Sequence, residues 1–324
     1  MKITRRHFLV VAAALPLAAW AAPYATPPQE VETWRGEWRD DKRNRTVPVK
    51  IYYPKTGGPF PIIVFSHGLG GTRETYEYLG SYWAAHGYVA VHLQHAGSDD
   101  AVWRGGGMQA MRGAANAKNA IDRAHDVTFA LDQLEKLKGD AAFPLRNQLD
   151  LQNVGIAGHS FGAHTTLLAS GLKMPVIDSF ADKRIKCAVA MSAPPPASQN
   201  YEALFGAIII PIYHLTGTKD ESPIDRPGST AKDRRVPFDN IKGADSYLTI
   251  FKDGDHMVFS GRRGLRGHRS HDEAFHPLIQ QSTLAFWDAY LKSDETAKNW
   301  LQQEFVKELG GNGTFEQKIA TPKP

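Results

Sequence analysis

Cysteine is almost missing from this chain of 324 residues: Cys187 is the only one, which excludes an internal disulfide. Its place in the apolar run KCAVAM reads as a small buried hydrophobe. An excess of one charge is lacking too. Lysine and arginine number 38 against 34 aspartate and glutamate; three of the basic residues, Lys2, Arg5 and Arg6, lie in the first 21 positions, leaving 35 against 34 beyond them. That balance gives no footing for nucleic acid or another polyanion as partner. No internal repeat at a fixed period is visible, which argues against a repeat array. Neither an HExxH pattern nor paired cysteines accompany the histidines, so no zinc site is expected at His256, His268, His271 and His276.

What the chain does have begins with MKITRRHFLVVAAALPLAAWAAPYA: a basic head, an apolar run and small residues near Ala19 to Ala22. This reads as an export signal over residues 1–21, and the order TRRHFL resembles a twin-arginine leader, whose cargo crosses the membrane folded. The apolar run is short and contains Pro16, so a lasting membrane anchor is not expected. A periplasmic or secreted protein follows. Residues 22–45 read as a linker and N-terminal extension, and 46–324 as a single domain ending in a helix and tail.

Seven β-rich runs follow: VPVKIYY, PIIVFSH, YVAVHL, NVGIAG, CAVAM, IIIPIYHL and YLTIFK. Several are apolar without alternation, as strands covered on both faces must be. Helical patterns separate them, among them NAIDRAHDVTFALDQLEKL, where Ile121, Ala124, Val127, Leu131 and Leu134 share one face. The alternation predicts an α/β fold with a mostly parallel central sheet flanked by helices. Three stretches, 96–118, 221–243 and 260–276, break the rhythm and read as irregular insertions. All follow predicted strands, so they gather at the carboxyl edge of the sheet, where such folds bind ligands.

The most informative segment is NVGIAGHSFGAHTT. A serine projected from a sheet edge needs a very tight strand-to-helix turn, and bulky residues two before and two after it would clash; Gly158 and Gly162 meet that need around Ser160. An unaided hydroxyl is a poor nucleophile, so a base and an orienting acid are expected. Asp220, in TGTKDESP, and His256, in DGDHMVF, stand just past consecutive predicted strands. Asp225 is the alternative acid if the turn is longer, whereas Asp178 comes too early. His268, His271 and His276 compete with His256 but lie further from a strand end. His164 is expected to pack against the sheet and His159 to orient backbone beside the turn. The oxyanion formed in such a reaction needs fixed donors: the Phe161 N–H after the serine, and the Leu69 N–H in SHGLGG.

With VFSHGLGG, WAAHGYVAV, GIAGHSFGAHT, LTGTKDESP and GDHMVF assigned, the chain from about Pro48 to Tyr290 resembles the dienelactone-hydrolase-like branch of the α/β-hydrolases. That branch includes platelet-activating-factor acetylhydrolases and cutinase-type polyester hydrolases. The resemblance implies an α/β-hydrolase fold, Ser160 as nucleophile, His256 as base, Asp220 as its partner, Leu69 and Phe161 as oxyanion donors, and no metal or organic cofactor. Ser160 stands where true dienelactone hydrolases carry cysteine. SAPPPAS and Phe161 stand where cutinase-type enzymes carry a tryptophan and a methionine.

Around the site, Trp103, Met108 and Met111 read either as an apolar lid over a substrate pocket or as a surface loop. Arg262 and Arg263, with Arg266 and Arg269, read either as a receptor for an anionic group or as a solvated basic loop. The expected activity is hydrolysis of carboxylic esters, with short to medium acyl groups, on a small or polymeric substrate. Amide or polyamide cleavage and polyester depolymerisation are the alternatives.

Overall fold

The seven apolar runs each form a strand, and two further strands complete a nine-stranded sheet. The structure, a computed structural model, describes residues 27–174, 179–194, 200–261 and 270–320. The leader segment, Arg262, Arg263, Arg266, His268 and Arg269 lie outside the described residues, as does the side chain of His271. In chain order the strands are β1 (Val31–Asp40), β2 (Arg45–Pro54), β3 (Phe60–Ser66), β4 (Val89–Leu93), β5 (Leu149–His159), β6 (Ile185–Met191), β7 (Ile212–Lys219), β8 (Ser246–Asp255) and β9 (Gly313–Lys318). Their spatial order is β1-β2-β4-β3-β5-β6-β7-β8-β9. Strands β4, β3, β5, β6, β7 and β8 run parallel, while β1, β2 and β9 join antiparallel at the ends. This is the α/β-hydrolase fold.

Two apolar layers cover the sheet. On one face, α3 (Ala117–Lys138) and α4 (Phe161–Ser170) bury Ala124, Val127, Leu131, Leu134 and Leu168 against Ile62, Val64 and Ile156. Ile121, expected on the same stripe, is half-buried. On the other face, α1 (Glu77–Ala85) and α5 (Ser270–Leu291) place Trp83, Phe286 and Trp287 over Ile63, Ala157 and Cys187. Cys187 is buried, and burial pushes its thiol well above the usual range, so it behaves as a small hydrophobe.

Three expectations change. Residues 31–40 are not an extension but β1, hairpin-paired with β2 from Val31↔Pro54 to Asp40↔Arg45, so the sheet starts before residue 46. The C-terminal tail turns back as β9, antiparallel to β8. Both are edge strands rich in charged and polar residues, without the apolar run that marks a strand covered on both faces. The stretch 96–118 contains a helix: α2 (Asp100–Ala114) is broken at Gly106 and Gly107, and the Gly107 φ of 57° takes the left-handed region that suits glycine. Asp100 in its first turn pairs with Arg104 at 2.6 Å, and Arg112 sits in its last turn, so both ends complement the helix dipole despite three consecutive glycines.

Candidate active site

Serine, base, acid and glycine loop all lie where the parallel strands end. Ser160 joins β5 to α4 with φ 56° and ψ −119°, a strained conformation for a residue with a side chain. The turn tolerates nothing larger than its two glycines. A Cβ on Gly158 would lie 2.3 Å from the Gly162 carbonyl oxygen, and one on Gly162 would lie 1.9 Å from the Ser66 carbonyl oxygen. The Ser160 N–H donates to the Met191 carbonyl at 2.9 Å, extending the β5–β6 ladder by one bond before the chain reverses.

Register places the other two groups. Strands β7 and β8 pair Lys219 with Asp255, so Asp220 and His256 are each one residue beyond the last pair. Gly217 permits that closeness, since a Cβ there would lie 2.1 Å from the Gly254 carbonyl oxygen. His256 Nε2 is 2.8 Å from Ser160 Oγ, and His256 Nδ1 is 2.7 Å from Asp220 Oδ1. The structure brings these three side chains together.

Asp220 is fully buried, and burial alone disfavours its charge. The His256 hydrogen bond, the Arg234 charge and the Ser192 hydroxyl outweigh burial and hold the carboxyl well below the usual range. Its Oδ2 accepts from Ser192 Oγ at 2.5 Å and from Thr216 Oγ1 at 2.7 Å. Arg234 Nε is 3.3 Å from Oδ1 and donates to the Asp220 carbonyl oxygen at 3.2 Å. The same guanidinium donates to the Ala193 carbonyl at 3.2 Å and pairs with Asp225 at 2.5 Å. Asp225, the alternative acid, therefore sits behind Arg234 rather than on the imidazole. Burial raises its pKa, with Arg234 opposing. Sequence reasoning missed Ser192 and Arg234 because nothing local links their segments to this carboxylate, and missed Thr216, four residues before Asp220, because strand spacing alone does not mark its hydroxyl as a partner.

Leu69 lies in the turn after β3, and Phe161 opens α4. Among the described residues, neither backbone N–H donates to a protein acceptor. A buried guanidinium fixes both segments. Arg123 donates to the His67 carbonyl, to Ser66 Oγ at 3.1 Å and to Ser98 Oγ at 2.9 Å, and lies 4.7 Å over the Phe161 ring. Ser66 also meets His95 at 2.9 Å, and His95 meets Asp126 at 2.9 Å. This second serine–histidine–aspartate set is fully buried, so it serves as support under the loop rather than meeting a substrate.

The remaining histidines divide by place. His276 hydrogen-bonds the Val258 carbonyl at 2.9 Å and stacks on Tyr78. His159, expected to orient backbone, reaches the His256 carbonyl through Nε2 at 2.8 Å. His164, expected against the sheet, lines a cavity and stacks on Phe161.

Two cavities meet at Ser160 and Leu69. The larger, about 480 Å³, is lined by His256, Met257 and Tyr76 and roofed by Trp103, Met108 and Met111 of α2. The second, about 360 Å³, is lined by Phe161, His164, Ala117, Ala120 and Met174. Trp103 is 53 % exposed, and Met108 and Met257 are also exposed, giving the larger cavity an apolar rim. Among the described residues no group of three or more His, Cys, Asp or Glu is arranged to hold a metal ion, and no helix is long and apolar enough to cross a membrane.

The fold and these residues define the class: an α/β-hydrolase scaffold with serine, histidine and aspartate converging at its carboxyl edge. Comparison with known proteins narrows this. A family model described as platelet-activating factor acetylhydrolase, isoform II, matches residues 40–105, the segment carrying the Leu69 loop. The chain is 25 % identical over 291 residues to a platelet-activating factor acetylhydrolase of Cavia porcellus, covering 78 % of this chain and 63 % of that one. It is 27 % identical to the Canis lupus familiaris protein of the same name, over 43 % of this chain and 36 % of that one. It is also 27 % identical to cutinase est1 of Thermobifida alba, over 36 % of this chain and 32 % of that one. The chain thus spans less than two thirds of the length of these curated relatives, and it resembles the branch to which its motifs pointed.

Proposed function

We propose that this protein is an exported serine hydrolase that cleaves carboxylic esters through an acyl-enzyme, with Ser160, His256 and Asp220 as its catalytic residues. The observation that carries the reading is the 2.8 Å contact of Ser160 Oγ with His256 Nε2, on an imidazole whose other nitrogen is 2.7 Å from a buried carboxylate. Ser160 Oγ attacks the ester carbonyl carbon while His256 takes its proton. The carbonyl oxygen becomes an oxyanion that accepts from the Leu69 and Phe161 N–H groups. Collapse breaks the bond to the leaving oxygen, which receives the proton from His256, and an acyl group remains on Ser160. Water, deprotonated by His256, then releases the acid and restores the hydroxyl.

Proton return to the leaving oxygen also sorts the cavities. The leaving alcohol belongs in the cavity lined by His256, under α2, and the acyl group in the cavity lined by Phe161, His164 and Ala120. A polymeric or aggregated ester is a second reading, favoured by the exposed apolar rim of Trp103, Met108 and Met257 and by the names of the cutinase relatives. The arginine cluster, the one sequence feature that suits an amide-linked acidic substrate, lies outside the described residues. The twin-arginine-like leader supports export to the periplasm or beyond.

Turnover of p-nitrophenyl esters graded in acyl length, beside a matched anilide, tests the reading. Esters are expected to turn over with an initial burst of p-nitrophenol, and the anilide far more slowly. Absence of ester turnover under any acyl length would contradict it.

A further inference from the structure

Three loops from different strands must hold sub-ångström geometry for this chemistry, and one hydrogen-bond chain runs between two of them. The Gly68 N–H donates to the Tyr76 hydroxyl oxygen at 3.2 Å, the Tyr76 hydroxyl is 2.8 Å from His159 Nδ1, and His159 Nε2 is 2.8 Å from the His256 carbonyl oxygen. We infer that Tyr76 and His159 are positioning residues that lock the oxyanion loop to the main chain of the catalytic base; this rests on the hydrolase reading above.

The chemistry gives the chain one direction. A carbonyl oxygen only accepts, so His159 Nε2 carries the proton and Nδ1 offers a lone pair. Tyr76 must then donate to Nδ1, which leaves its oxygen to accept from Gly68. Burial, and next the neighbouring His256, hold His159 well below the usual histidine pKa, so the ring stays neutral and Nδ1 stays an acceptor. Both residues are almost fully buried.

Two details show that the placement is built rather than incidental. Tyr76 takes φ 64° and ψ 25°, a left-handed conformation rare for an aromatic residue, just before α1 begins. At Gly68 a Cβ would stand 3.0 Å from the Tyr76 hydroxyl and 3.1 Å from His159 Nδ1, so a side chain there would press on the chain at its first link. The Tyr76 ring itself packs on Phe65 at 4.7 Å, a contact that phenylalanine would keep.

The test is a double-mutant cycle on the full protein with Tyr76→Phe, His159→Leu and both together, plus His159→Gln, whose amide can still donate to the His256 carbonyl. Tyr76→Phe and His159→Leu are each expected to lower kcat roughly tenfold with KM within about twofold, and the double variant to fall no further than either. His159→Gln is expected to recover most of the loss and also serves if the leucine variant fails to fold. Wild-type kcat in Tyr76→Phe, single losses that multiply in the double variant, or a change in KM alone would overturn the inference. A wild-type protein that neither turns over esters nor reacts with a fluorophosphonate would instead overturn the hydrolase reading itself.

Discussion

At the scale of single residues, Ser160→Ala is expected to abolish ester turnover while leaving the circular dichroism spectrum and melting temperature near wild type, because among the described residues the hydroxyl bonds only the half-buried His256 ring. Asp220→Asn should cost about three to four orders of magnitude in kcat by removing the acceptor that fixes the imidazole; an unchanged rate would move the orienting role to another acid. Gly162→Ala is a packing experiment. Its Cβ would meet backbone oxygens at 1.9 and 2.8 Å, so loss of soluble, cooperatively folding protein is expected, and a wild-type melting curve would contradict the described turn. The serine, its glycines, the histidine and the acid were legible in the sequence because each sits beside its strand, in motif order. Arg234, Arg123 and Ser192 were not legible, because their roles depend on which distant carbonyls and carboxylates the fold brings to them; Thr216, only four residues before Asp220, carries no motif that marks its hydroxyl as the carboxylate's partner.

At the scale of elements, α2 is the informative case. Three consecutive glycines made 96–118 look irregular, yet its ends carry acidic and basic groups in the order a helix dipole favours, and the break falls at Gly106 and Gly107 rather than dissolving the element. If α2 roofs the leaving-group cavity, Trp103→Ala and Met108→Ala should alter KM for esters of long apolar alcohols several-fold. They should leave the deacylation rate of a given acyl-enzyme unchanged, because the alcohol has departed by then. Stopped-flow burst kinetics separate the two steps, and a change in deacylation alone would reverse the assignment of the cavities. The central strands were readable as uninterrupted apolar runs, whereas β1 and β9 escaped. Apart from Trp38 and Asp40 their residues stay at least partly exposed on the sheet edges, and a strand of that kind differs from a polar extension chiefly through the neighbour it pairs with.

At the scale of the whole molecule, sensitivity to acid follows from histidines that the fold keeps neutral. Burial lowers His92 and His214 to about 3, and lowers His95 and His164 to about 4, the latter two with help from the Arg123 charge. Below the ordinary histidine pKa of about 6.5 the unfolded chain binds protons that the folded chain does not, so stability falls as pH drops from there toward 4. Asp126 adds a later loss: burial opposes its charge, but His95 and Arg45 bring it down to about 2, so its contribution fades only between about 3.8 and 2. Urea unfolding at pH 5 is expected to show at least ~2 kcal/mol less stability than at pH 7.5. Equal midpoints would mean that these rings are accessible to protons in the folded state.

The most direct test of the account is to react the full-length protein with a fluorophosphonate and locate the adduct by peptide mass spectrometry, in wild type and in His256→Ala. A single adduct on Ser160, formed orders of magnitude more slowly when the imidazole is removed, is the predicted result. An adduct on another residue, or equal labelling rates in the two proteins, would contradict it.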